Sequence, residues 1–136
     1  WGNEPVGTGT QKANIWQGNF PSNNISSDEF YYTSPVKSFD KNDFGLYDIS
    51  GNVWEWCSDL YHSDYYSTIS NKVANNPKGP TKSFDPNDPF SSKRVMRGGS
   101  FLCNDSYCSG FRNSMRMKST PDSSSQHVGF RTVLDL

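Results

Sequence analysis

Long hydrophobic runs, net charge and cysteine are all scarce in this chain of 136 residues. No apolar run approaches the roughly 20 residues that a membrane-spanning helix needs, so we expect no membrane span. Thirteen basic and fourteen acidic residues leave a formal net charge of −1, which argues against a basic face for nucleic acid or acidic lipid. Three cysteines are too few for a disulfide scaffold, and their odd number allows at most one internal bridge.

The amino end also lacks the features of a natural start. It has neither the positive region nor the apolar core of a secretory signal, and it begins with Trp1 rather than Met. We therefore expect a processed product or an excerpt of a longer protein. No cellular compartment follows from this sequence.

Turn-forming and aromatic residues are abundant instead. Ser, Asn, Gly and Pro together account for 53 residues, which argues against a helical bundle. Four Trp, seven Tyr and nine Phe are far more large core residues than a disordered coil contains. We therefore predict a single loop-rich domain of the α+β class, with an aromatic core and little regular secondary structure.

The apolar pattern predicts few and short elements. Trp54 and Trp56 alternate with other residue types, which is strand spacing with both rings on one face. Residues 107–117 fit a helix and a strand equally well. The other expected elements are a surface loop over 62–93 with one helical turn near its start, a strand over 94–102, a turn over 121–125 and a closing strand over 128–133. The Gly98-Gly99 pair within 94–102 allows either a bulge or a close approach of another backbone segment.

Two of the cysteines form the first candidate site. Cys103 and Cys108 bracket four residues directly after the Gly98-Gly99-Ser100 bend. Such a pair can close a small disulfide, hold one soft metal ion such as Cu(I), or consist of two unrelated thiols. Zinc fits less well, because only His62 and His127 could complete its four ligands. Spacing alone leaves these alternatives open.

Two oxygen-rich clusters form further candidates. The first brings Asn14 and Asp28 together if the loop between them closes. The second has Asp48 and Glu55 on either side of a sharp turn at Gly51, where backbone carbonyls can point inward. On spacing alone, ordinary turn caps and a solvated strand glutamate are the favoured interpretation of both.

Several polar residues near the carboxyl end could bind or orient a substrate. Arg112 and Arg116 can hold a carbonyl or carboxylate in a fork, and His127 can carry a proton. Arg131 is a further basic residue, and surface charge or a structural ion pair explains such residues equally well. Ser100 has no general base beside it in sequence, so a Ser-His-Asp hydrolase is not supported.

Four motifs in this order resemble the formylglycine-generating enzyme family, also called the sulfatase-modifying factors. They are A-N-I-W-Q-G at 13–18, F-G-L-Y-D-I-S-G-N-V-W-E-W at 44–56, R-G-G-S-F at 97–101, and P-D-S-S with H-V-G-F-R within 121–131. The resemblance covers about residues 13–133. Its most specific part is the pair Cys103 and Cys108, which the non-catalytic relatives lack.

The resemblance implies a C-type-lectin-like fold of irregular loops over small β-sheets. It also implies an oxidase that uses O2 to convert the cysteine of a Cys-x-Pro-x-Arg motif, in an unfolded sulfatase polypeptide, to Cα-formylglycine. Cys103 and Cys108 would hold Cu(I), a soft ion whose low coordination number leaves room for the substrate. The implied catalytic residues are Cys103, Cys108, Ser100, Trp54, Arg116 and His127, and the implied substrate-binding residues are Arg112, Arg116 and Ser100.

The resemblance further implies two structural calcium ions, and it favours calcium over plain turn caps at both clusters. The first would be held by Asn14, Asp28 and the carbonyl oxygens of Ile15 and Phe30. The second would be held by Asp48, Glu55 and the carbonyl oxygens of Gly51 and Val53. Residues 1–136 would form one domain of this family that lacks the amino-terminal half, which a missing segment or an associated chain would supply.

Two other functions remain as alternatives. A non-catalytic, calcium-stabilised C-type-lectin-like binding module would use the same fold, with the cysteine pair as a plain disulfide. An iron-dependent sulfoxide synthase of related fold would need a histidine cluster, and the scattered His62 and His127 do not provide one.

Overall fold

Short strands joined by long loops make up the structure, a computed structural model that describes residues 9–70 and 73–134. Within these residues the elements are β1 (Trp54–Leu60), α1 (Tyr65–Ile69), β2 (Arg94–Arg97), β3 (Met117–Ser119) and β4 (Val128–Gly129). The expectation of a loop-rich α+β domain with little regular structure is confirmed. None of the described helices is long and apolar enough to cross a membrane.

The four strands form one sheet in the order β3-β2-β1-β4. β1 pairs antiparallel with β2, placing Glu55 opposite Arg97, and a register shift follows Trp56. β2 pairs antiparallel with β3. β4 adds to the other side of β1 in parallel, with Trp54 opposite Val128. The carboxyl-terminal motif therefore lies beside the G-N-V-W-E-W motif, although more than 70 residues separate them in sequence.

Glycine conformation explains why β2 is shorter than predicted. Gly98 and Gly99 have φ values of +91° and +75°, which ends the extended backbone after Arg97. A Cβ on Gly99 would lie 2.5 Å from the backbone nitrogen of Phe111, so the chain at this bend packs directly against another backbone segment. The predicted strand over 94–102 is therefore wrong beyond Arg97.

The other predicted elements are confirmed in kind and differ in length. The strand at Trp54 extends to Leu60, and the helical turn near the start of the 62–93 loop is α1. The closing strand is reduced to Val128–Gly129. Residues 107–116 are neither helix nor strand, because turns and contacts to distant residues organise them, such as the two hydrogen bonds from Arg97 to the carbonyls of Asn113 and Met115.

The hydrophobic core lies between the sheet and two loops. Its buried members come from the 13–18 motif, from β1 and β2, and from the segment after β2, and they are Ala13, Ile15, Trp54, Met96, Cys103 and Phe111. Trp56, Cys108 and Val128 pack against this cluster. Two of the three cysteines therefore belong to the core or its margin.

Backbone hydrogen bonds connect the amino-terminal loop to the bend after β2. The amide of Trp16 donates to the carbonyl of Cys103 at 3.0 Å, and the amide of Gly51 donates to the carbonyl of Gly98 at 2.8 Å. The amide of Phe101 donates to the carbonyl of Asn52 at 3.0 Å. These long-range contacts hold the predicted site residues in one region of the fold.

Candidate functional site

The sulfur atoms of Cys103 and Cys108 face each other at 2.7 Å, and both residues are free thiols. Cys103 is only 2% exposed, whereas Cys108 is half-buried. The alternative of two unrelated thiols is therefore wrong. The arrangement suits any reaction that needs two sulfur donors side by side, one fixed in the core and one near the surface.

The close contact gives the two thiols opposite acidities. A hydrogen bond from the Cys103 thiol lowers the pKa of Cys108 to about 6, with burial opposing this shift and a backbone hydrogen bond at Gly110 assisting it. The pKa of Cys103 is raised, because its proton is held by Cys108 and because the residue is buried. Cys108 is therefore the more acidic of the two thiols, and Cys103 the one that keeps its proton to higher pH.

Ser100 and Trp54 adjoin the cysteine pair as expected. The Ser100 hydroxyl is buried, and its oxygen lies 3.9 Å from the Cys103 sulfur. Trp54 packs closely against Gly110, since a Cβ on Gly110 would lie 2.3 Å from the Trp54 ring and 3.2 Å from the Cys108 sulfur. The structure therefore brings four predicted residues together.

The two arginines predicted to bind substrate, Arg112 and Arg116, make their contacts away from the two sulfur atoms. Arg112 forms an exposed ion pair of 2.7 Å with Asp105, which belongs to the loop between the two cysteines. Arg116 donates to the carbonyl of Ser63 at 2.9 Å and stacks over the rings of Tyr61 and Tyr66. These contacts of Arg116 are with the segment after β1 rather than with the cysteine loop.

His127 makes one hydrogen bond through its backbone carbonyl and another through its ring. Its carbonyl accepts a hydrogen bond of 2.8 Å from the amide of Trp54. Its ring Nδ1 lies 2.8 Å from the Ser125 hydroxyl, and burial lowers its pKa. Catalytic roles for Arg116 and His127 stay predictions.

The first oxygen-rich cluster is closed, because the amide of Ile15 donates to Asp28 Oδ2 at 3.2 Å. Asp28 Oδ1 accepts from the amide of Phe30 at 3.0 Å. Asn14 is 1% exposed and donates from Nδ2 to the carbonyl of Tyr32 at 2.8 Å. Its Oδ1 atom is buried and has no hydrogen-bond partner among the described residues.

Sequence reasoning missed Gln17 in this first cluster. Its Nε2 donates to Asp28 Oδ2 at 2.8 Å and also lies in very close contact with the carbonyl oxygen of Ile15. Its Oε1 is buried and unpaired among the described residues, like Asn14 Oδ1. The cluster thus gathers oxygen atoms in a buried space without enough donors to satisfy them.

The second oxygen-rich cluster already contains a cation, the guanidinium of Arg131. It donates to both carboxylate oxygens of Glu55, through Nε at 2.6 Å and through Nη2. It also donates to the carbonyls of Tyr47 at 3.1 Å and Asp48 at 3.2 Å. Asp48 Oδ2 accepts from the amide of Lys37, and its buried Oδ1 has no partner among the described residues.

Side chains alone do not form a metal centre in the described ranges. Over residues 9–70 and 73–134, no group of three or more His, Cys, Asp or Glu could hold a metal ion. Any ion at the cysteine pair would have two protein sulfur ligands, and any ion at the oxygen clusters would need amide and carbonyl oxygens as well.

The third cysteine is separate from the pair. Cys57 is half-buried in β1, and its pKa is raised by burial and by the neighbouring charge of Asp59. These properties fit the expected structural thiol rather than a reactive one.

Comparisons with known proteins agree with this geometry. Residues 1–136 match the family described as the sulfatase-modifying factor enzyme 1-like domain. The formylglycine-generating enzyme of Thermomonospora curvata is 43% identical over 135 residues, covering 99% of this chain and 42% of that protein. The enzyme of the same name from Streptomyces coelicolor is 45% identical over 136 residues, covering 99% of this chain and 40% of that protein.

A solved structure supports the same assignment. PvdO from Pseudomonas aeruginosa matches with a TM-score of 0.64 at 26% identity, covering 93% of this chain and 42% of that one. The chain thus spans about two fifths of the length of these relatives. The small sheet, the long loops and this neighbour confirm the expected C-type-lectin-like fold. The chain belongs to the sulfatase-modifying factor family, in which its similar relatives are named formylglycine-generating enzymes.

Proposed function

We propose that this chain is the thiol-bearing part of a copper-dependent formylglycine-generating oxidase. Its substrate would be the cysteine of a Cys-x-Pro-x-Arg motif in an unfolded sulfatase polypeptide, and its oxidant O2. The observation that carries the proposal is the facing pair of free thiols, 2.7 Å apart, in a family member. Relatives named formylglycine-generating enzymes support the reaction type.

The donor chemistry of the pair fits Cu(I). Two sulfur ligands suit a soft d¹⁰ ion, and Cys108 already favours its thiolate form, with a pKa of about 6. Cys103 must lose its proton to become the second thiolate ligand. When bound, Cu(I) would supply the redox centre for oxidation of the substrate thiol by O2.

The protein residues around the pair have distinct proposed tasks. Cys103 is fixed by the hydrogen bond from Trp16 to its carbonyl, and Ser100 places a hydroxyl beside its sulfur. The Trp54 ring and the Cys108 sulfur both lie against Gly110, so the ring forms an apolar wall beside that thiol. Arg112, on the exposed rim of the cysteine loop, is suited to orient a carbonyl of the substrate peptide once it leaves Asp105.

A calcium ion at the first cluster is the second part of the proposal. The buried, unpaired Asn14 Oδ1 fits a cation ligand, and Asp28 supplies the negative charge. The carbonyl oxygens of Ile15 and Phe30 would complete the protein ligands.

The second cluster does not fit calcium in the arrangement observed. Both oxygens of Glu55 are hydrogen-bonded to Arg131, whose positive charge balances the carboxylate. Binding of calcium there would require Arg131 to leave, exchanging one cation for another. Calcium at Asp48 and Glu55 therefore stays a prediction.

A further polypeptide is part of the proposed assembly. The chain spans about two fifths of its relatives, so much of a complete peptide-binding groove would come from elsewhere, either from a longer protein or from an associated chain. Large apolar side chains without cover are consistent with such a contact, including Phe44 at 87%, Phe130 at 76% and Val133 at 87% exposure.

Aldehyde formation tests the proposed function. The chain, loaded with Cu(I) and calcium, would receive O2, a reductant and a Cys-x-Pro-x-Arg peptide, and the aldehyde would be trapped with a hydrazide and weighed by mass spectrometry. We expect aldehyde from the native chain and from Cys57→Ala, and none from Cys103→Ala. Equal aldehyde from Cys103→Ala would contradict the proposal. Absence of both aldehyde and copper binding would favour the non-catalytic binding module.

A further inference from the structure

Asn104 lies inside the loop that joins the two cysteines, and it is 6% exposed. Its side-chain Oδ1 accepts hydrogen bonds from the amide of Tyr107 at 2.8 Å and from the hydroxyl of Ser106 at 3.2 Å. Its backbone carbonyl accepts from the amide of Cys108 at 3.0 Å. One residue thus satisfies three donors of the loop that it begins.

These bonds determine how the chain reverses between the cysteines. The bond from the Cys108 amide to the Asn104 carbonyl closes a single five-residue turn over residues 104–108. The Asn104 side chain occupies the inside of that turn and holds the Tyr107 amide, as asparagine does in local turns. The direction in which Cys108 leaves the turn, and hence the position of its sulfur, depends on these acceptors.

The other end of the Asn104 side chain fixes the loop to the rest of the protein. Its Nδ2 donates to the carbonyl of Gly18 at 3.1 Å, across 86 positions of sequence. Gly18 has a φ of +114°, and a Cβ there would lie 2.5 Å from the carbonyl oxygen of Asn23, so this acceptor has a constrained position. The stacked rings of Phe20 and Tyr107, with centroids 4.1 Å apart, join the same two loops at a second point.

We propose that Asn104 is the positioning residue of the thiol pair. Its Oδ1 holds the turn between the cysteines, its Nδ2 anchors that turn to the Gly18 carbonyl, and together they keep the Cys108 sulfur against the Cys103 sulfur. A role of Asn104 in catalysis rests on the proposed function, because it requires the thiol pair to be the reacting centre. Its geometric role is independent of the proposed function, since it concerns only the approach of the two sulfur atoms in the metal-free chain.

Thiol–disulfide exchange measures that role without metal or substrate. Glutathione disulfide oxidises the two cysteine thiols, forming one protein disulfide and two glutathione thiols, so that one S–S bond breaks, one forms, and the two protons pass to glutathione. The equilibrium gives the effective concentration of one cysteine at the other. Peptide mapping after alkylation would separate this pair from Cys57.

Two variants and a matched control are compared well below their melting temperatures. Asn104→Ala removes both the Oδ1 acceptor and the Nδ2 donor of the side chain. We expect the effective concentration of one cysteine at the other to fall about tenfold or more. Asn104→Asp keeps an acceptor for Tyr107 and replaces the donor to Gly18 with an oxygen, so an intermediate fall is expected. Asn113→Ala is the control, because Asn113 is exposed and its carbonyl, which Arg97 uses, is retained.

Each outcome decides the proposal. An effective concentration within twofold of the native value in folded Asn104→Ala would overturn it, as would an equal fall in Asn113→Ala. If Asn104→Ala does not melt cooperatively, the effective concentration in Asn104→Asp is used instead, and a value within twofold of the native one would overturn the proposal. If neither variant folds, Asn104 is only structural and the proposal fails. A native chain that forms no aldehyde and binds no Cu(I) would refute the proposed oxidase and leave the exchange result standing.

Discussion

Replacing Gly110 by alanine tests how closely Trp54 is packed beside the thiol pair. The added Cβ would lie 2.3 Å from Cη2 and 2.4 Å from Cζ2 of the Trp54 ring. Carbon atoms in contact are normally about 3.5–4.0 Å apart, so the ring must move by about 1 Å or more. Gly110 is not in the left-handed region, so the substitution adds packing strain without backbone strain.

The cost of this overlap follows from its surroundings. Trp54 is 5% exposed and belongs to the core cluster, which leaves little room for it to move. Overpacking of a core typically costs about 1–3 kcal/mol. For a chain of this size, that corresponds to a melting temperature lower by about 3–12 °C.

Urea unfolding, followed by tryptophan fluorescence, measures this free energy in a double-mutant cycle. Phenylalanine at position 54 lacks the part of the indole ring that meets the new Cβ, so Gly110→Ala should cost less in a Trp54→Phe background. We expect a coupling energy of about 1 kcal/mol.

Gly45→Ala is the control for the glycine substitution itself. Gly45 has a φ of +76° and nothing within 4 Å of an added Cβ, so its cost of about 1–2 kcal/mol is backbone strain and should not couple to Trp54. The packing argument would be refuted if the free energy of unfolding of Gly110→Ala lay within about 0.5 kcal/mol of the native value, because an ordinary surface substitution has an effect of that size.

Three further predictions concern calcium, acid and alkylation. A calcium chelator should lower the melting temperature of the native chain, because the proposed calcium ion would bind only the folded first cluster, and Asn14→Ala should abolish that difference. A hydrogen bond from Lys93 lowers the pKa of Asp85 in the folded state below its value in the unfolded state. Calorimetry should therefore show the protein losing stability as pH falls through that folded-state pKa. Asp85→Asn should remove this pH-dependent loss of stability. At pH 7 iodoacetamide should modify Cys108 before Cys57, with a rate that rises around pH 6.

Each of these has a result that would contradict it. A melting temperature that does not respond to chelator would remove calcium from the account. An unchanged acid profile in Asp85→Asn would mean that the buried carboxylate, 2.6 Å from Lys93, does not control acid stability. Faster modification of Cys57 would contradict the thiolate character of Cys108.

The strands could be predicted where the sequence pattern is local. The alternation around Trp54 predicted β1 because both periodicity and residue type favour a strand there. The strand after Arg94 was predicted too long, because a Gly-Gly pair is compatible with a bulge as well as with a left-handed bend. Only the backbone contact between Gly99 and Phe111 decides between the two.

The site was predictable to the extent that its members follow one another in sequence. Cys103, Cys108 and Ser100 lie within nine residues, and the motifs around them are specific. The Arg131–Glu55 pair joins positions 76 apart and depends on the parallel addition of β4 to β1. No local pattern indicates such a pairing. The expectation of calcium at the second cluster came from the family resemblance, and it stays a prediction.

Asn104 was within reach of sequence reasoning. An asparagine directly after the first cysteine, followed by Asp and Ser, is typical of a side-chain-stabilised turn. Its bond to Gly18, by contrast, depends on how the amino-terminal loop packs against the cysteine loop. The type of turn was therefore predictable, and its anchor was not.

Cu(I) stoichiometry tests the central claim, that Cys103 and Cys108 form one metal-holding centre, most directly. The chain would compete for Cu(I) with a chromophoric chelator under anaerobic conditions, alongside Cys103→Ser, Cys108→Ser and Cys57→Ser. We predict one tightly bound Cu(I) in the native chain and in Cys57→Ser, and loss of that site in each of the other two variants. Retention of the site in Cys103→Ser or Cys108→Ser, or its absence from the native chain, would contradict the account.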